Sequence, residues 1–191
     1  MLITAAISLA AAAAVNFIYF KAKHDKLLFP IVSAVVFSVI ISILLYPKTD
    51  IIAYIKYFCV LSFLHLCSTN DIIRRRSDDI FPLLMIAAAL VLPQNLAASL
   101  VSFAVIAVIF IIIIVSGKDT IGGGDIKMIC ALTFFFGLTT TVTAVIIACI
   151  TGIIFAAASK YIAKLPDFGK RFAFLPFVEV GYVIALLVKL Y

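Results

Sequence analysis

Apolar residues in this chain come in long unbroken runs separated by short polar clusters, not in the alternating or every-third-and-fourth patterns of half-buried elements in water. Residues 2–20 form an alanine-rich run close to the roughly 20 residues that a bilayer-spanning helix needs. Further runs cover residues 29–46, 51–69, 80–92, 96–116, 128–136, 138–158 and 172–190. The pattern predicts a helix for each, about eight crossings in all, because a chain inside a bilayer must satisfy its backbone hydrogen bonds within the segment. Two runs are short, residues 80–92 and 128–136, and the second is expected to be partly re-entrant or to lie against protein. Pro47-Lys48-Thr49-Asp50 and Pro93-Gln94-Asn95 read as outer turns, and Gly137 separates the sixth run from the seventh.

Composition supports this reading. Of the 191 residues 66% are hydrophobic and only 13% charged, and the mean hydropathy is +1.31, well beyond an ordinary globular domain. The expected fold class is therefore all-α, a polytopic integral membrane protein with a single membrane-embedded domain over residues 1–191 and no separate soluble domain. The net charge of +6 is not a nucleic-acid signature, because the basic residues sit in short clusters between the runs, where they act as topology determinants. No charged segment precedes the first run, and Lys21, Lys23 and Lys26 follow it, so it reads as a first helix entering from outside and not as a signal peptide. On this path both termini are outside and 12 of the 15 Lys and Arg fall in inner loops. Cys59, Cys67, Cys130 and Cys149 all lie in apolar runs with no C-x-x-C pair, so they read as small hydrophobes.

Two polar clusters on the inner side carry candidate chemistry. Gly122-Gly123-Gly124-Asp125-Ile126-Lys127 follows an almost pure hydrocarbon run, and an ionisable group at a membrane boundary needs a partner or a watery cavity. The second cluster runs from Asn70-Asp71 through Arg74-Arg75-Arg76 to Ser77-Asp78-Asp79. Two aspartates sharing one water cannot both ionise, so one holds a proton while the other takes one from the water. Gly122 and Gly124 would let a substrate backbone approach, and Lys127 would neutralise charge or orient the site. The plainer alternative makes the glycines a turn and Asp125 a helix N-cap. Phosphate binding is unsupported, since no Walker lysine with a following Ser or Thr is present.

Other ionisable residues have simpler readings. Arg74 to Arg76 are topology anchors first. His65 is either a proton relay or a histidine hydrogen-bonded between helices, and Glu179 needs a partner, with Lys170 or Arg171 nearest in sequence. A rival of another class is a small secondary transporter coupled to protons or cations, which inverted repeats would favour; none is discernible.

The motif Gly122-x-Gly124-Asp125-x-Lys127, ahead of an apolar helix late in a polytopic chain, resembles the G-x-G-D-x-K motif of the type IV prepilin peptidases, aspartic proteases of the bacterial inner membrane. Asp71 with Arg75 four residues later is similar to the first half of the family's D-x-x-x-R-x-I-P-N pattern, and Leu175-Pro176-Phe177 to its P-F segment near the C-terminus. Where the pattern has I-P-N this chain has Ser77-Asp78-Asp79, so three acids stand close together; Asp71 keeps the spacing to Arg75 and directly ends an apolar run. The resemblance implies an aspartic endopeptidase that removes the basic leader from type IV pilin or pseudopilin precursors at the cytoplasmic face. Asp71 and Asp125 would form the catalytic pair, supported by Gly122, Gly124, Lys127 and Arg75, with no metal or organic cofactor. The loop 21–28 lacks the cysteine-bearing insert of members that also methylate, which implies peptidase activity alone. An inactive paralogue with a role in assembly stays open because of the altered Ser77-Asp78-Asp79 stretch.

Overall fold

The structure, a computed structural model, describes residues 28–45, 51–74, 79–91, 95–116, 121–161 and 173–190. All elements among them are helices: α1 (Leu28–Leu45), α2 (Ile51–Arg74), α3 (Ile80–Val91), α4 (Leu96–Val115), α5 (Gly123–Phe136), α6 (Leu138–Tyr161) and α7 (Leu175–Leu190). Three stretches are long and apolar enough to cross a membrane, Ile51–Arg74, Leu96–Val115 and Leu138–Ala158. The expected first crossing, residues 2–20, lies outside the described residues, so the count of eight is not established. The chain divides into two compact units, Met1–Thr69 and Asn70–Tyr191.

In the first unit α1 and α2 meet along a seam of small polar groups. The hydroxyls of Ser42 and Tyr54 are 2.9 Å apart, and His65 Nε2 lies 3.2 Å from Ser33 Oγ, which is the register of two antiparallel helices. The His65 ring also stacks on Phe37 at 4.5 Å, so this histidine is held between the two helices. Polar groups in apolar surroundings bond across helices because no water competes for them.

The second unit is built around α5. From Met128 to Phe136 every residue of this helix is buried, and α3, α4 and α6 pack against it. A helix apolar on all sides is at home only when enclosed, and its 14 residues reach about 21 Å, short of a bilayer core. The expectation that this run lies against protein is met. Ile106 and Phe110 of α4 pack with Ile129 and Cys130 of α5, and Phe103 meets Phe134 edge-on. By contrast α4 turns residues such as Val101, Val108 and Ile112 outward, an apolar face suited to lipid.

Helix ends follow local chemistry. Asn95 caps α4, its Oδ1 accepting the Ala98 N–H at 3.2 Å. Gly137 alone joins α5 to α6, with φ 84° and ψ 169°, a region that only glycine enters readily. α6 and α7 approach so closely at Gly181 that a β-carbon there would overlap the Ala144 carbonyl. Small residues permit such helix contacts in membranes. Across this interface the Tyr182 hydroxyl donates to Thr141 Oγ1 at 2.8 Å, satisfying a fully buried polar group.

Two boundaries differ from the sequence expectation in ways that bear on the site. α2 continues past Thr69 to Arg74, carrying Asp71 inside its last turns. The glycine-rich stretch, which lies ahead of the expected run 128–136, instead enters α5 at Gly123, so Gly123, Gly124 and Asp125 form that helix's first turn. Glycine's poor helix propensity is a cost of about 1 kcal/mol per residue, which the packing of the enclosed helix behind it outweighs.

Candidate active site

Asp71, in the last turns of α2, belongs to the second unit. Residues Leu66 to Asp71 are buried without interruption, and Asp71 itself is only 8% exposed. A buried carboxylate needs donors, and this one finds them at the start of α7. Its Oδ2 accepts the Leu175 backbone N–H at 3.3 Å, and the Phe174 N–H also interacts with it.

Why a donor is available there follows from the local sequence. The Phe174 carbonyl accepts from Phe177 N–H and Val178 N–H, which opens α7 at Leu175. The first turn of any helix leaves N–H groups without intrahelical acceptors, and Pro176 has none to leave. The Leu175 N–H is thus an orphan donor that Asp71 caps from 104 residues away. The negative charge also suits the positive end of the helix dipole.

Asp125 is the third residue of α5. Gly122 occupies the N-cap position with no side-chain cap, so the plain N-cap reading of Asp125 does not hold. Burial, and then the nearby Asp71 carboxylate, push Asp125 up to about 6. Desolvation penalises the charged form, and a like charge penalises it further. Gly122 borders this carboxylate: a β-carbon there would stand 3.1 Å from Asp125 Oδ2. With φ −63° its backbone is ordinary, so its smallness, and not its flexibility, is what the position uses.

The other residues singled out from sequence divide clearly. Gly124 is half-buried in the first turn of α5. Lys127 does not turn to the aspartate pair; its Nζ lies 2.9 Å from both carboxylate oxygens of Asp79, in an exposed ion pair. Asp79, one of three acids considered for the first position, is therefore engaged elsewhere. Arg75, Asp78, Lys170 and Arg171 lie outside the described residues. Glu179 is buried one turn into α7, beyond Leu175.

Sequence reasoning missed two features. One is the backbone donor at Leu175, signalled only by the proline that marks a helix start at Pro176. The other is the Asp79 partner of Lys127, for which no local signal exists. Taken together, the site offers two interacting carboxyl groups, both partly removed from water and one of them supplied with N–H donors, at the ends of helices rich in apolar residues.

A family model described as the type IV leader peptidase family matches residues 58–157, which include Asp71, Asp79, Asp125 and Lys127. Neither a curated protein nor a solved structure matches the chain.

Proposed function

That this chain belongs to the type IV leader peptidase family is the premise from which we propose that it is a multi-pass aspartic endopeptidase of the bacterial inner membrane. It removes the leader from type IV pilin or pseudopilin precursors at the cytoplasmic face. What supports this reading is that Asp71 and Asp125, from distant parts of the chain, lie near enough for the Asp71 charge to raise the Asp125 carboxyl. Carboxyl groups that repel one another favour a singly protonated pair, which would supply a base for water and an acid for the scissile carbonyl.

Hydrolysis then proceeds without a covalent intermediate. The ionised carboxylate takes a proton from water as the oxygen attacks the carbonyl carbon, and the protonated carboxyl gives its proton to the carbonyl oxygen. The tetrahedral diol collapses as the first acid hands its proton to the departing amine and the second recovers one from a hydroxyl. One water is consumed, and both carboxyl groups return to their starting state.

Gly122 supports access, since any side chain there would crowd the Asp125 carboxylate. The assignment of 12 of the 15 basic residues to one side of the membrane supports a cytoplasmic site in a chain of about eight crossings. The lack of an insert in loop 21–28 supports peptidase activity alone.

The test is a precursor-processing assay. Asp71→Asn and Asp125→Asn should each lower cleavage on the order of a thousandfold or more, since members of a catalytic unit fail singly, while the protein still inserts and accumulates. Purified wild type that leaves authentic precursors uncut, yet moves protons or cations in liposomes, overturns the reading in favour of a transporter.

A further inference from the structure

Asp71 and Asp125 are identical side chains in unequal surroundings. Asp71 faces the N-terminus of α7, where the Leu175 N–H donates to its Oδ2 at 3.3 Å and the Phe174 N–H also interacts with it. Backbone N–H donors bond to the ionised form of a carboxylate and favour it; both acids lie at a helix N-terminus, so the dipole acts on both and the N–H donors set Asp71 apart. Asp125 sits in the first turn of α5, behind a glycine cap that contributes no side-chain hydrogen bond.

Both carboxyl groups are shielded from water, so the N–H donors are what separates them. On its own helix Asp71 has Arg74 one turn on, and α7 carries Glu179 one turn beyond Leu175. Lys127, the cation nearest Asp125 along α5, has its ammonium committed to Asp79 of the α3 entrance, at 2.9 Å from both oxygens. A shared proton therefore has a preferred owner.

We propose that the N-terminus of α7 holds Asp71 as the ionised member of the pair, so that Asp125 carries the proton. Leu175, through its backbone N–H, is a positioning residue. In the hydrolysis Asp71 is then the base that takes the proton from water, and Asp125 the acid that protonates the scissile carbonyl. The rise of Asp125 to about 6 agrees with this order. The assignment rests on the peptidase reading for what the proton is used for, and on the two environments alone for where it sits. The contact at residue 175, which lies outside the 58–157 match, is read from this chain's own structure.

Leu175 offers an unusual test because it opens its helix. Proline at that position suits a helix start and removes only the N–H in question from the backbone. Leu175→Ala keeps the N–H and removes the buried side chain, which isolates packing. The full chain, purified in detergent with isotope-labelled aspartate, is titrated by infrared spectroscopy of the carboxyl stretch.

Wild type should show one carboxyl that loses its proton near pH 6. The band should vanish in Asp125→Asn and persist in Asp71→Asn, with its midpoint lowered there because the neighbouring charge is gone. In Leu175→Pro a second carboxyl should enter the same range, and precursor cleavage should fall by about tenfold or more, with its acid limb moved to higher pH. Leu175→Ala should leave both titrations in place.

A band that vanishes in Asp71→Asn and persists in Asp125→Asn overturns the proposal. So does identical behaviour of Leu175→Pro and Leu175→Ala. If Leu175→Pro does not accumulate, the two asparagine variants alone decide the proton's owner. Wild type that titrates as expected but cleaves no precursor refutes the peptidase reading and upholds the proton assignment.

Discussion

Lys127 Nζ stands 2.9 Å from both carboxylate oxygens of Asp79, 48 residues earlier in the chain, and the pair ties the entrance of α3 to the first turns of α5. Both side chains are more than half exposed, at 57% and 68%. Solvent screening limits such a pair to about 0–1 kcal/mol, so it serves more to occupy the lysine than to hold the fold.

The first prediction follows from that division of labour. Asp79→Asn should lower thermal stability by no more than about 1 kcal/mol and should leave precursor processing largely intact, read by immunoblot of precursor and mature forms. Loss of processing in Asp79→Asn together with full processing in Asp71→Asn would transfer the role of first acid to Asp79.

The second prediction concerns pH. The Asp125 carboxyl titrates near 3.8 when unfolded and about 6 in the fold, so between these values the native state holds more protons. Stability therefore falls as pH rises through this window, and the cost persists above it. Asp125→Asn should raise the thermal midpoint in detergent above pH 6, by on the order of 1 kcal/mol once screening at this half-buried site is discounted, with the gain vanishing below about pH 4. Cleavage by wild type should decline as pH rises through about 6, when the pair loses its shared proton, and kcat/KM should report this for the free enzyme. The limb for kcat should lie higher, because a bound strand excludes more water from Asp125.

The glycines supply a third, graded prediction. Gly137→Ala forces a side chain into φ 84° and should cost roughly 1–3 kcal/mol. Gly181→Ala drives a β-carbon into the Ala144 carbonyl and should cost about as much through helix separation. Gly123→Ala meets nothing within 4 Å and should be neutral or stabilising by about 0.5–1 kcal/mol. Gly122→Ala should spare the fold but cut processing by about tenfold, because the Asp125 carboxylate must move away from 3.1 Å contact. Thermal midpoints paired with processing rates separate the four.

Orientation gives the fourth prediction. With 12 of 15 basic residues assigned to inner loops, a cysteine introduced as Asp119→Cys, in a background lacking the four native cysteines, should resist a membrane-impermeant thiol reagent in intact cells. It should label after permeabilisation. Ready labelling in intact cells would reverse the topology and, with it, the side from which leaders are cut.

The sequence by itself determined that the described residues are all helical and suited to a membrane, where most of these helices run, and which acids to suspect. Long apolar runs leave the backbone no partner but itself, so hydropathy and the punctuation by Pro93, Asn95 and Gly137 translate almost directly into helices such as α4 and α6. Asp71 and Asp125 stood out as candidates because charge beside hydrocarbon is rare.

Only the tertiary structure decided that α5 is enclosed by protein, since lipid and protein interiors ask for the same apolar side chains. It alone drew the glycine stretch into the first turn of α5, where packing of the helix behind it overrode propensity. It also gave Lys127 to Asp79 and joined Asp71 to Leu175 N–H over 104 residues. These pairings rest on which helix ends meet in space, and a backbone donor leaves no mark on residue type beyond the proline that follows it.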